Sequence, residues 1–258
     1  MNILAIGNSF SDDTLEYVYQ IAESAGITGL YLGNLYIGGC SLERHLQNAS
    51  TDAPEYEYRT NGAGEWSTQP QYRLKDALAA RKWDVISMQQ ASPFSGEEET
   101  YAQADGLVSY VRGIAGDCRL VWNMTWAYQK DFTGENFSRY GYGQERMYRA
   151  IVNAVQRQIL PRKVFEVVPC GTAVQNARTS FLGDTLTRDG YHLSFGAGRY
   201  TAGLTFAKAV LGVPPRAVTF VPRGVSREEE AVAKESAENA CAQPFAVVRS
   251  RHAEGDAR

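Results

Sequence analysis

Ile3-Leu4-Ala5-Ile6-Gly7-Asn8-Ser9-Phe10-Ser11-Asp12-Asp13 is an apolar run that ends in Gly-Asn-Ser and passes at once into helix-forming sequence. A buried strand feeding directly into a helix is the opening unit of a parallel α/β sheet. Such sheets bind ligands outside the carboxyl ends of their strands, where a helix dipole and free N–H groups favour negative charge. Ser9 falls at that place. Outward from it, the first strand covers about 2–7 and the first helix about 13–25, with Leu15, Val18, Ala22 and Ala25 on one face. Asp13 and Glu16 are spaced as a capping box, and Gly26 is the stop.

The alternation continues. A second strand, about 30–37, runs into Gly38-Gly39-Cys40-Ser41, and a short helix carries Leu42 to Leu46. Glu55 to Trp66 alternates polar and aromatic residues around Asn61-Gly62, the pattern of a small hairpin inserted between units. Helices at 73–82, 99–115 and 144–160 lead to strands at 84–88, 119–124 and 164–168, and a last regular helix spans 195–211 after Ser194 as its cap. The pattern predicts a three-layer α/β/α sandwich on a five-stranded parallel sheet, flavodoxin-like, over 1–212. Residues 213–258 read as a C-terminal extension packing on the same domain: an extended stretch, a charged helix near 226–240, and a tail disordered from about 250.

Composition narrows the partners. The 258 residues are 44% hydrophobic and 21% charged, as in an ordinary globular domain. A net charge of -3 offers nothing to nucleic acid or an anionic membrane, and no apolar run approaches a bilayer span. Cys40, Cys118, Cys170 and Cys241 are scattered without a C-x-x-C pair, which argues against a zinc or disulfide framework. No basic and apolar leader precedes the first strand. Taken literally the chain is cytoplasmic; one trimmed of its export signal, periplasmic or secreted, would read the same.

A serine hydroxyl needs a base to take its proton and a third group to hold that base. The chain has three histidines, with His45 on a short helix and His252 in the tail, so His192 is the best base for Ser9. Asp189 lies three residues earlier and can share one turn with it. Donors for a developing oxyanion are the N–H of Ser9, Gly39 after the second strand, and an amide from Gln89 or Gln90 at the end of the third. The bland alternatives are a turn serine, a tight Gly-Gly turn and surface glutamines. No clustered His and carboxylate set suggests a metal-dependent phosphoesterase.

Taken in order, Gly7-Asn8-Ser9-Phe10-Ser11, Gly38-Gly39-Cys40-Ser41-Leu42, Gly171-Thr172-Ala173-Val174-Gln175-Asn176-Ala177-Arg178 and Arg188-Asp189-Gly190-Tyr191-His192-Leu193-Ser194 make the chain resemble the SGNH (GDSL-type) hydrolase superfamily, in its bacterial DUF4886 branch. The resemblance covers about 1–212. It implies a Ser9–His192–Asp189 triad, oxyanion donors at Ser9, Gly39 and Gln89, and chemistry without metal or organic cofactor. Two departures stand out: Asn8 replaces the familiar aspartate, and Met88-Gln89-Gln90-Ala91-Ser92 replaces the block that carries a Gly-x-Asn-Asp.

The expected activity is that of a serine esterase. The long segment 125–143 interleaves aromatic and polar residues, which suits a sugar, so Trp126, Tyr140 and Tyr142 are candidate substrate contacts and an acetylated carbohydrate the expected substrate. Tyr140 and Tyr142 could instead merely cover the helix beneath them. The competing functions are a lipase or thioesterase on longer acyl chains and a carbohydrate-binding protein with an idle site.

Overall fold

The computed structural model describes residues 1–253. In chain order it comprises β1 (Asn2–Gly7), α1 (Ser9–Leu15), α2 (Val18–Ser24), β2 (Tyr31–Tyr36), α3 (Leu42–Thr51), β3 (Tyr56–Asn61), β4 (Ser67–Tyr72) and α4 (Leu74–Ala79). The second half comprises β5 (Val85–Met88), α5 (Ala104–Ala115), β6 (Arg119–Asn123), α6 (Gln144–Ala154), β7 (Phe165–Val168), α7 (Cys170–Ala177), α8 (Ala197–Leu211) and α9 (Arg227–Ala242).

The sheet has seven strands in the order β4-β3-β2-β1-β5-β6-β7. Its parallel part, β2-β1-β5-β6-β7, consists of the five strands expected from the sequence. The expectation of a purely parallel sheet is corrected by the hairpin. It is not a separate insertion: β3 pairs antiparallel with β2, and β4 with β3, which makes the sheet mixed. Its second strand, Ser-Thr-Gln-Pro-Gln-Tyr, has no apolar alternation because it is a mostly exposed edge. The register slips between Tyr56 and Tyr58, where Pro70 and Gln71 form a bulge and Gln71 has φ +56°.

Apart from α6, the helices fall into two groups with contacts inside each: α1, α2, α7, α8 and α9 in one, α3, α4 and α5 in the other. The core between them holds Ile3, Leu4 and Ile6 of β1 together with Trp83 and Trp122, all fully buried. A second apolar cluster joins Ile21 of α2, Tyr200 and Leu204 of α8, and Ala233 and Ala237 of α9.

Three local expectations are corrected. The first helix starts at Ser9, not near 13, because the Asn8 side chain accepts from Phe10 N–H and caps it; it then breaks between α1 and α2. The helix from Gln144 passes into a π turn over Val155–Ile159 before Pro161 ends it. The start of the tail is held: Ser250 N–H donates to Thr179 Oγ1 at 2.8 Å and Arg251 Nε to Glu235 at 2.7 Å. The rest of that expected disorder, 254–258, lies outside the described residues. Among the described residues no helix is long and apolar enough to cross a membrane.

Candidate active site

Ser9 is the first residue of α1, where backbone N–H groups have no partner within the helix. The residue before it does the local work. Asn8 is buried; its Oδ1 accepts from Phe10 N–H at 3.0 Å, and its Nδ2 donates to the Cys40 carbonyl at 3.0 Å. One amide therefore caps the serine helix and holds the loop after β2 against it. In that loop Gly39 has φ +65°, a conformation that favours glycine and leaves its peptide exposed beside Ser9's cleft.

The base arrives from a tight loop closed by a bridge between Thr187 and Leu193. Asp189 works twice there. Its Oδ1 accepts from the N–H groups of Tyr191 (3.2 Å) and His192 (2.8 Å), which shapes the turn, and its Oδ2 meets His192 Nδ1 at 2.6 Å. Partial burial would raise its pKa, but these hydrogen bonds, the His192 ring first, hold the carboxyl below its ordinary range. The imidazole is gripped on two sides, with the Tyr191 ring centroid 4.1 Å away and the edge of Phe10 at 6.1 Å. His192 Nε2 is then the nitrogen left free for chemistry.

Asn8, Ser9, Gly39 and His192 line one cleft of about 480 Å³. Its walls are aromatic: Tyr36 from the end of β2, Tyr128 and Phe132 from the long loop, and Tyr191 beside the base. Arg59 covers one face of Tyr36 at 3.9 Å and is itself paired with Asp12 at 2.6 Å. Phe132 lies so close to Gly134 and Gly190 that a Cβ on either would fall 2.3 or 2.4 Å from its ring. The rim is polar, with Glu135 and Asn136 exposed, and Ser92 is hydrogen-bonded to the Tyr128 hydroxyl at 2.9 Å.

A family model described as "Domain of unknown function (DUF4886)" matches residues 2–240. The chain belongs to this family. A solved DUF4886 protein from Bacteroides uniformis is 42% identical, with a TM-score of 0.93 over 96% of this chain and 97% of the other. An acetyl xylan esterase is similar with a TM-score of 0.54 at 11% identity, over 81% of this chain and 100% of the other. A proposed SGNH hydrolase from Slackia heliotrinireducens has a TM-score of 0.51 at 22% identity, over 81% of this chain and 98% of the other. At those identities the likeness is one of fold, and the fold is that of the SGNH hydrolases. A comparison with curated proteins gives no match.

In this DUF4886 chain five candidate site residues lie elsewhere. Gln89 is buried beneath the cleft, where its Nε2 donates to Asn8 Oδ1 at 2.8 Å and its Oε1 accepts from Asn123 Nδ2 at 3.3 Å. It is an internal brace and is not presented as an oxyanion donor. Gln90 is likewise occupied, donating to Thr100. Trp126 is fully buried, stacked on Phe10 at 4.2 Å, with its indole N–H donated to the Tyr191 carbonyl at 2.7 Å. Tyr140 is buried with its hydroxyl on Pro93 O and Gly96 N–H, both at 3.0 Å. Tyr142 is exposed but lines a separate surface hollow with Lys130 and Arg146.

The residues that do face the cleft carried partial signals. Tyr191 sits inside the Asp189–His192 segment, Tyr128 and Phe132 sit in the long loop, and Tyr36 ends a predicted strand. Choosing among the loop's aromatics needed the packing. Its fold-back follows from ties to one carboxylate: Asp184 accepts from Lys130 N–H at 2.7 Å and Gln144 Nε2 at 2.9 Å, and pairs with the buried Arg178 at 2.7 Å.

Proposed function

We propose that the chain is a serine esterase removing short acyl groups, acetyl foremost, from carbohydrate hydroxyls. One observation carries the reading: a histidine hydrogen-bonded to a carboxylate opens onto the same cleft as a helix-terminal serine and a left-handed glycine. In the proposed reaction Ser9 Oγ adds to the ester carbonyl carbon while its proton passes to His192 Nε2. Asp189 accepts from Nδ1–H, which fixes the tautomer and steadies the imidazolium. The carbonyl oxygen, now negative, takes the N–H groups of Ser9 and Gly39. Collapse breaks the bond to the alcohol oxygen, which leaves with the proton from His192. Water then gives a proton to His192 as its oxygen adds to the acyl carbon, and Ser9 departs with that proton as the acid is freed.

The carbohydrate preference rests on the walls. Rings from Tyr36, Phe132 and Tyr191 offer flat faces, and Ser92, Glu135 and Asn136 offer hydrogen bonds around them. A long acyl chain needs a continuous apolar groove, which this mixture does not provide.

The test is release of acid from 4-nitrophenyl acetate, 4-nitrophenyl octanoate and an acetylated oligosaccharide, comparing the native chain with Ser9→Ala. Serine-dependent release favouring acetate and the sugar is expected. Preference for octanoate would replace the reading by a lipase, and sugar binding without turnover by a binding protein.

A further inference from the structure

The helix that carries Ser9 and the loop that carries His192 are tied together by a buried ion cluster outside the cleft. Its centre is Asp13, one turn beyond Ser9 on α1 and fully buried. Asp13 Oδ2 accepts from Leu193 N–H at 2.7 Å. Its Oδ1 accepts from Arg188 Nη1 at 3.0 Å and from Arg199 Nε of α8 at 2.8 Å. Arg188 directly precedes Asp189 and Leu193 directly follows His192. One carboxylate therefore holds both ends of the Asp189–His192 segment.

The rest of the cluster stiffens this arrangement. Arg188 Nη1 also donates to the Leu193 carbonyl, which closes the loop on itself. Arg199 also pairs with Glu16, just past the end of α1, at 3.2 Å. The Phe195 ring packs against both guanidinium groups, 4.9 Å from one and 4.8 Å from the other.

We propose that Asp13 is a positioning residue that sets the height and angle of His192 over Ser9. The proposal rests on the esterase reading above. Neither Asp13 nor either arginine lines the cleft, so none of them meets substrate. Desolvating a carboxylate and two guanidiniums is costly, and well-packed apolar side chains commonly stabilise a core as well or better. What an ion cluster adds is direction: three donors from two segments converge on two oxygens at fixed angles. Proton transfer from serine to histidine is steeply sensitive to that geometry, and a displacement of about 1 Å can cost about 100-fold in rate.

The experiment compares the full chain with Asp13→Asn, Arg188→Gln and Arg188→Lys. It measures kcat and KM on 4-nitrophenyl acetate and the rate of Ser9 labelling by a fluorophosphonate, with thermal unfolding as control. All rates are taken well below each variant's Tm. Expected for Asp13→Asn is a fall in kcat of about 10- to 100-fold with KM within about threefold, and labelling slowed by the same factor. Arg188→Gln should show the same pattern more weakly, with partial recovery in Arg188→Lys. Arg188 serves if Asp13→Asn does not fold, because its side chain is 27% exposed and its removal leaves Arg199 and Leu193 on Asp13. Folded variants with native kcat and labelling, differing only in Tm, would reduce the cluster to a structural staple. A native chain that neither turns over nor labels would overturn the esterase reading and this proposal with it.

Discussion

Asn8 is engaged by three hydrogen bonds at once, and only an amide can make all three. Its oxygen accepts from Phe10 N–H and Gln89 Nε2, while its nitrogen donates to Cys40 O. An aspartate would keep the two acceptances but turn a carboxylate oxygen toward a carbonyl. Asn8→Asp should therefore lower stability by about 1–3 kcal/mol at pH 7, read as a shift in the urea midpoint. His45 gives a second residue-level test. It is fully buried, and burial pushes its pKa down to about 3 from the ordinary 6.5, with the charge of Arg44 adding to the shift. Protonation then favours the unfolded chain. Stability should be full above about pH 6.5 and fall by about 1.4 kcal/mol per pH unit as pH drops toward 3. His45→Asn should remove that slope from urea titrations run at successive pH values. At this scale the candidate base was readable because the chain has three histidines, and the other two candidates from their places, Ser9 at the end of an apolar run and Asp189 three residues before His192. Gln89 was not: its partners are Asn8 and Asn123, far away in sequence, and local sequence says nothing about which amide meets which.

Among elements, the long loop between β6 and α6 is the most informative. Two of its aromatics, Tyr128 and Phe132, form cleft wall, and Trp126 and Tyr140 form the packing behind it. Its length signalled a functional segment, while the division of labour along it depends on where Asp184 pulls the backbone. Arg178 is almost wholly buried and loses its counter-charge if Asp184 is neutralised; burial already lowers its pKa, and Asp184 opposes that. Asp184→Asn should cost about 3–5 kcal/mol in chemical denaturation and raise hydrogen exchange across 126–144. Unchanged exchange there would mean that the loop holds its shape without this pair. The five parallel strands were legible as apolar runs bounded by turns. The edge strand β4 was not, because an exposed edge carries no buried face to leave a period of two.

For the molecule as a whole, the pieces of the candidate site come from both ends of the chain, Ser9 near the start and His192 far along it, and are joined through α8. That helix is covered in turn by α9, with Val232, Ala233, Ala237 and Ala240 buried. Val248 N–H then donates to Asn176 Oδ1 at 2.7 Å, carrying the chain back onto α7. We expect a chain ending at Gly212 to expose this apolar face and lose cooperative unfolding by calorimetry, together with any serine reactivity. A truncated chain that melts sharply at the native Tm would make 213–253 a separate appendage. The polar hairpin at the sheet's edge bears on a different matter, behaviour in a crowd. An open row of N–H and C=O groups invites another copy to add a strand and propagate. Here Pro70 removes a donor from the middle of that row, and the bulge at Gln71 twists what remains out of line. The sheet ends where the hairpin ends, so concentrated solutions should resist fibre growth from this edge.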